Sequence, residues 1–317
     1  MAYLFGPVPS RRLGRSLGVD LIPRKTCPFD CVYCEVGPTT CKTLKREDYY
    51  PEAIIRELEA YLAAGPDLDV ITLAGSGEPT LNKALGNIIQ AVKRLTDTPV
   101  AVLTNGALLY DPEVRRDLAA ADLVLPSLDA AREETFQRIN RPPLGYALTR
   151  LLAGLEAFRR EYPGQLWLEV MILQGVNDQE AELEALRRAI AGVAPDKVQL
   201  NTAVRPVVED WAAPVSLDEL EALAAYLWDG AEVIASFNGP AVLEQQVEDS
   251  RFLEMLARRP MTAADLAQVL GLPQALVRRR LHRLQESGLI ACDLYQEQGF
   301  YRSIRHPGHG LKAVAKG

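Results

Sequence analysis

The sequence predicts an α/β protein built on a mostly parallel sheet and followed by a small helical module with a β-hairpin. Three observations carry this. Short apolar runs rich in β-branched residues recur from about residue 66 to 236, separated by polar turns and amphipathic stretches. These runs alternate little, as strands buried on both faces do. The charge is also split, with 11 Lys+Arg against 5 Asp+Glu in residues 250–317, and 24 against 37 in the rest. A basic end on an acidic chain marks a separate module.

The strands are expected at 16–22, 69–75, 99–106, 121–129, 166–173, 196–201 and 231–237. Between them lie helical patterns. One runs through Ile54, Ile55, Leu58, Tyr61 and Leu62 after Pro51, a residue suited to a first turn. Another runs through Leu85, Ile88, Ile89, Val92 and Leu95. Alternating strands and helices give right-handed crossovers and either a barrel-like or a doubly wound sheet. In both, ligands collect at the C-terminal ends of the strands.

The basic module reads as helices at 251–260 and 262–272, a third opened by Pro273 and closed by Gly288, and a hairpin over 289–304 with its turn near Gly299. Thr262 with Asp265 forms the signature of a capped helix start. This is the pattern of a winged helix–turn–helix. The expected domains are therefore 1–240 and 241–305, with a flexible tail at 306–317.

Composition narrows the function classes. At 317 residues with 24% charged and 48% hydrophobic side chains, the chain has ordinary globular proportions. No stretch approaches the roughly 20 apolar residues of a membrane-spanning helix. The N-terminal segment lacks the basic-then-apolar order of a secretory signal, so a cytoplasmic location is expected. Five cysteines, three of them within eight positions, suggest metal or redox chemistry and not a disulfide framework.

Cys27, Cys31 and Cys34 follow the first of these strands with spacing C-x3-C-x2-C. Three thiolates can ligate three irons of a four-iron cluster and leave the fourth open to a substrate. A structural zinc site with Cys41 as fourth ligand is the competing reading of the spacing alone.

With Tyr33 before its third cysteine, this motif resembles that of the radical S-adenosylmethionine superfamily over roughly residues 6–240. The resemblance implies a partial (β/α)6 barrel, a 4Fe-4S cluster on the three cysteines, and S-adenosylmethionine chelated to the open iron. Reductive cleavage would yield a 5′-deoxyadenosyl radical that abstracts hydrogen from a substrate. It also implies cofactor contacts at successive strand ends. Gly77 and Glu78 in GSGEP (75–79) resemble the motif that binds the methionine amino group, with Ser76 interrupting its usual glycine pair. Thr104 and Asn105, then Ser127 and Asp129, end the next two strands, where the family contacts the methionine carboxylate and the ribose. Ser127 and Asp129 should share a side of an extended strand. A flavodoxin or ferredoxin is implied as electron donor.

The opening GPVPSRRLGRSLGVDLIPRKTCPFDCVYCEVG, with SLDA (127–130) and INRP (139–142), resembles a bacterial group related to wybutosine-synthesising tRNA enzymes. Those enzymes use a second cluster, and Cys41 and Cys292 are too far apart in sequence to build one from cysteine alone. RNA or another macromolecule is the expected substrate class. Arg11, Arg12, Arg15, Arg24 and Lys25 flank the first strand, where they would meet substrate anions or ion-pair with the acidic barrel. Glu169 and Asn201 are expected to point into the barrel, and Arg205 to bind an anion. On the third helix of the basic module, Arg278, Arg279, Arg280 and Arg283 surround a core stripe of Val277, Leu281 and Leu284. This is a footprint for nucleic-acid phosphates or for a protein partner. Two other functions share these features, namely a cluster- or S-adenosylmethionine-responsive nucleic-acid-binding regulator and a glycyl-radical-enzyme activase.

Overall fold

The computed structural model describes residues 3–10, 12–234, 248–296 and 298–304. Its first part runs β1 (Leu4–Ser10), β2 (Gly14–Asp20), β3 (Thr26–Cys27), β4 (Cys41–Lys42), α1 (Pro51–Leu62), β5 (Val70–Ala74), α2 (Leu85–Leu95) and β6 (Val100–Thr104). It continues with α3 (Pro112–Leu118), β7 (Leu123–Pro126), α4 (Glu133–Asn140), α5 (Leu148–Glu161), β8 (Gln165–Ile172), α6 (Glu180–Val193), β9 (Lys197–Thr202), α7 (Leu217–Leu227) and β10 (Glu232–Val233).

The strands form one sheet in the order β1-β2-β5-β6-β7-β8-β9-β10. Every neighbouring pair after β2 is parallel, and β1 alone runs antiparallel. Sequence order matches spatial order because each crossover helix carries the chain one strand onward. The strands sort their side chains by the two-residue repeat. Ile71, Leu73, Val100, Val102, Val124, Leu166, Leu168 and Val170 join the large core beneath the helices. Val70, Ala101, Leu123 and Leu125, with Leu13, Leu103 and Trp167 against them, form a smaller apolar layer on the inner face. This is a partial barrel with a packed floor, as the resemblance implied. The seventh expected strand shrinks to Glu232–Val233, and its residues 235–237 lie outside the described residues.

β1 was not expected. It carries Pro7 and Pro9, which are tolerated because on an edge strand an N–H is not needed for a second neighbour.

The basic module comprises α8 (Asp249–Arg258), β11 (Met261–Thr262), α9 (Ala263–Leu270), α10 (Gln274–Glu286), β12 (Ile290–Tyr295) and β13 (Gln298–Ser303). Its strands pair in the order β11-β13-β12, completing a winged helix–turn–helix. Thr262 and Asp265 cap α9 reciprocally. Phe252, Leu256, Leu266, Val277, Leu281, Leu284 and Ile290 make a core of their own. The hairpin turn corrects the sequence reading. It lies at Gln296, at φ 48°, and Gly299 is inside β13. That glycine faces Cys292, whose Sγ would stand 3.1 Å from an added Cβ, so close approach and not a turn explains it.

The module docks on the barrel's first edge. Arg251 donates to the Gly6 carbonyl at 2.7 Å, and Arg24 of the barrel donates to the Ala257 carbonyl. Arg258 donates to the Leu4 carbonyl at 3.2 Å, stands 3.3 Å from Asp20 and covers the Phe5 ring at 4.2 Å. The expected boundary at 240 and the tail 306–317 lie outside the described residues. Among the described residues no helix is long and apolar enough to cross a membrane.

Candidate active site

The loop after β2 carries the three cysteines, and it is clamped from several sides. Lys25, at φ 58°, donates its backbone N–H to Ser76 and accepts from Thr40 and Cys41. Asp30 and Val32 donate to the carbonyls of Asn140 and Ile139 at the end of α4. Phe29 packs edge-on against Phe136 and Tyr146. Gly77 lets the GSGEP turn lie against this loop, since a Cβ there would run into the Thr26 carbonyl. The adjacent Glu78 N–H donates to that same carbonyl.

Each sulfur of the triad meets one side-chain N–H donor, and Cys27 also accepts from the Phe29 backbone. Asn105 Nδ2 lies 3.2 Å from Cys27, Asn140 Nδ2 3.5 Å from Cys31 and Lys25 Nζ 3.0 Å from Cys34. Burial pushes the Cys27 thiol up to about 12, with Glu78 adding to the effect. Burial likewise raises the Cys31 thiol, helped by Cys27 and Asp129. Such thiols ionise only when a positive group joins them, which is what an iron cluster provides. The donor set therefore fits the expected cluster. Among the described residues, no three His, Cys, Asp or Glu side chains are placed to hold one metal ion. A cubane asks for a different arrangement, one sulfur per iron. Cys41 is exposed, opposite Thr26 in the short β3–β4 pair, and Cys292 lies in the winged module.

The strand ends come together beside the loop, but their carboxylates face inward. Glu78 accepts from Thr80 N at 3.1 Å, Thr104 Oγ1 at 2.6 Å and Asn105 N at 2.8 Å. Burial holds it above the usual carboxylate range. Asp129 accepts from Tyr33 Oη, from Asn140 Nδ2 at 2.8 Å and from Met171 N at 3.1 Å. Burial raises Asp129 to about 6, and the Tyr33 phenol also goes up through burial and through Asp129. Ser127 bridges to Glu169 on β8 and is partly exposed, whereas Asp129 is buried. Both expected carboxylates thus act as clamps that fix neighbouring groups. Asn140 escaped the sequence reading as a site residue, and Lys25 was read there only as a partner for anions. INRP flagged the first and the flanking basic run flagged the second, but neither motif shows a contact with sulfur.

The inner face carries a polar layer. Arg12 Nη1 lies 2.8 Å from Glu169, and Asn201 donates to Glu169 at 3.1 Å, so these three side chains meet on the inner face. That Arg12 nitrogen is buried without a well-directed hydrogen bond, because the ion pair is close but poorly aligned. Arg205 has its anion inside the protein: it pairs with Glu35, just after the third cysteine, at 2.9 Å. Arg11 lies outside the described residues. A cavity of about 260 Å³ runs between the inner face and the winged module, lined by Arg12, Thr72, Leu103, Arg251, Met255 and Arg258. It reaches the cysteine loop at Glu35 and Val36, and the GSGEP turn at Gly75 and Ser76.

On α10, Arg278 and Arg279 are exposed. Arg283 instead pairs with Asp249 at 2.6 Å, and Arg280 stands 3.8 Å from the same carboxylate with its guanidinium over Phe252. Half of the expected arginine footprint is spent on the module's own fold.

Residues 21–186 match the family model for the radical SAM superfamily, and residues 250–293 match that for a helix-turn-helix domain. The chain is 37% identical over 294 residues to a protein of Brachyspira hyodysenteriae described as GTPase Obg, covering 90% of this chain but only 43% of that one. A UPF0026 protein of Methanocaldococcus jannaschii is 32% identical over 279 residues, 86% of this chain and 87% of its own. The fold resembles that of a radical SAM methyltransferase from Sphaerobacter thermophilus, with a TM-score of 0.51 at 20% identity over 69% of this chain and 65% of that one.

Proposed function

Because the chain belongs to the radical SAM superfamily and to the UPF0026 proteins, we propose that Cys27, Cys31 and Cys34 hold a 4Fe-4S cluster in a radical S-adenosylmethionine enzyme. Members of the superfamily use such a cluster, once reduced, to cleave S-adenosylmethionine into a 5′-deoxyadenosyl radical that takes hydrogen from a substrate. The carrying observation is the convergence of three sulfurs in one clamped loop with the polar ends of β5, β6 and β7. Gly77 allows close backbone approach, Ser127 offers a polar group to the cofactor, Glu78 fixes Asn105 against Cys27, and Asp129 fixes Tyr33 and Asn140. The protein's own contribution is binding, orientation and exclusion of water.

The cavity supplies the substrate side. Four arginines, Arg12, Arg251, Arg258 and Arg259, outnumber the carboxylates Glu35 and Glu254 in its lining, beside apolar Phe5, Leu103 and Met255, which favours an anionic group on a larger molecule. The opening segment and the SLDA and INRP motifs support kinship with the wybutosine-type tRNA enzymes, and hence RNA or another macromolecule delivered by the winged module. A second cysteine-built cluster is not part of this reading, since Cys41 and Cys292 stand in different modules. The barrel module ends near residue 240, a flavodoxin or ferredoxin supplies the electron, and the reducing cytoplasm is the setting.

A second reading, a cluster-responsive regulator, is favoured by one chain of contacts. Arg258 of the winged module meets Asp20, which holds Ser76, whose carbonyl holds the backbone of Lys25 beside Cys34.

One experiment separates the two. The protein is purified without oxygen, reconstituted with iron and sulfide, reduced with dithionite and assayed for 5′-deoxyadenosine. The enzyme reading expects product from the wild type, from C41A and from C292A, and none from C31A. A fully loaded cluster that yields none with tRNA present would leave the regulator in front. Colourless protein with one tightly bound zinc would sink both.

A further inference from the structure

We propose that Lys25, Asn105 and Asn140 are positioning residues that hold the three cysteine sulfurs by one side-chain N–H donor each and raise the reduction potential of the cluster. The donors come from three different elements. Lys25 belongs to the cysteine loop, Asn105 follows β6 directly, and Asn140 is the last residue of α4. Each reaches a different sulfur.

All three donors are themselves fixed. Asn105 keeps its Oδ1 on the N–H of Ala107 at 2.9 Å and its own backbone N–H on Glu78 at 2.8 Å, so its amide can only face Cys27. Asn140 has two amide hydrogens. One goes to Asp129 at 2.8 Å and the other to Cys31, with Asp129 held in turn by Tyr33 and Met171. The Lys25 backbone is tied to Ser76, Thr40 and Cys41, and its side chain is buried. Donors that are already placed need no rearrangement when charge arrives.

Given a cluster on that triad, the reading on which this one rests, the effect on its potential has a definite sign. Reduction moves one electron from the external reductant to the cluster, with no bond made or broken. The added negative charge spreads onto the sulfurs in partly buried surroundings. A directed N–H stabilises the reduced form more than the oxidised one, and an ammonium at 3.0 Å does so further. Glu78 and Asp129, close to Cys27 and Cys31, act in the opposite direction. Lys25 is the cationic counterweight on the third sulfur.

The test uses the full chain, reconstituted without oxygen, with iron content and absorbance measured first. The spectrum of the reduced cluster is then followed by electron paramagnetic resonance through a redox titration. At the wild-type midpoint, K25M should leave about one cluster reduced for ten oxidised, a midpoint about 59 mV lower. K25R, which keeps charge and donor, should return the ratio to within about threefold of wild type. N105D keeps the acceptor that holds Ala107 but turns the donor into a carboxylate, and should shift the midpoint the same way as K25M. Should K25M take up no iron, N105D carries the test. Loaded variants that titrate at the wild-type midpoint, or K25R that titrates with K25M, overturn the proposal. A wild type that binds no four-iron cluster overturns the cluster assignment as well, and its iron content tells that failure apart.

Discussion

Replacing Arg258 with methionine should destabilise the barrel in a pH-dependent way. The arginine makes three contacts across the module boundary: the Leu4 carbonyl, the Asp20 carboxylate and the Phe5 ring. A charged hydrogen bond contributes about 1.5–3 kcal/mol and a cation–π contact about 0.5–1. Losing one partner of a largely buried pair costs about 3–5 kcal/mol. The Arg258 and Asp20 side chains keep 23% and 12% exposure, so the low end applies, about 3 kcal/mol at pH 7. Burial outweighs the pairing for both partners, holding Asp20 above and Arg258 below its ordinary value. With the Asp20 pKa raised in the folded state, the folded chain binds more protons between the unfolded and folded values, and stability falls as pH rises through that window. R258M removes a charge that lowers the Asp20 pKa, so the window widens. The deficit should therefore be larger at pH 7 than at pH 4. All three tryptophans, Trp167, Trp211 and Trp228, lie in the barrel, so urea unfolding read by their fluorescence reports on it. D20N/R258M should recover about 1–2 kcal/mol relative to R258M, as expected when both ends of a buried pair are neutralised together. Equal deficits at the two pH values, or a double variant no more stable than R258M, would refute the reasoning.

Three further outcomes follow from the geometry. Asp129, raised to about 6 by burial, makes the cluster-free protein lose about 2 kcal/mol as pH rises from 4 to 7, and D129N should remove that share of the slope in urea titrations at the two pH values. G77A forces the GSGEP turn away from Thr26, so reconstituted G77A should hold less iron than wild type while its circular dichroism is unchanged. R278A/R279A, at exposed positions, should weaken tRNA retention on filters and flatten its salt dependence by about one to two units of slope, with less than about 0.5 kcal/mol lost from stability. Salt-insensitive retention would instead mark the module as a protein-docking surface.

The main strands and the winged module were legible in the sequence because their signals are local: apolar runs of strand length, a capping pair at Thr262 and Asp265, a glycine after α9. The cysteine triad was legible for the same reason. What escaped depends on distant partners. Asn105 and Asn140 reach the triad across 78 and 109 residues of chain, and no pattern in either segment encodes that meeting. Arg280 and Arg283 read as a free basic face until Asp249 of another helix takes them up. Glu78 and Asp129 sat at the right strand ends, but whether a carboxylate faces a ligand or its own neighbours is decided by burial, which residue type does not reveal. β1 was hidden by its prolines, whose meaning changes once the strand is known to be an edge.

That edge has one more consequence. β1 offers seven residues at the border of an open sheet, and an unpaired border is a template onto which another chain can add a strand. Its Leu4 and Gly6 carbonyls are capped by Arg258 and Arg251, and Val8 is covered by the winged core. The winged module thus also guards the barrel against its own copies. A barrel cut free at residue 234 would keep its strands but lose that guard, and concentration-dependent self-association would be its first failure.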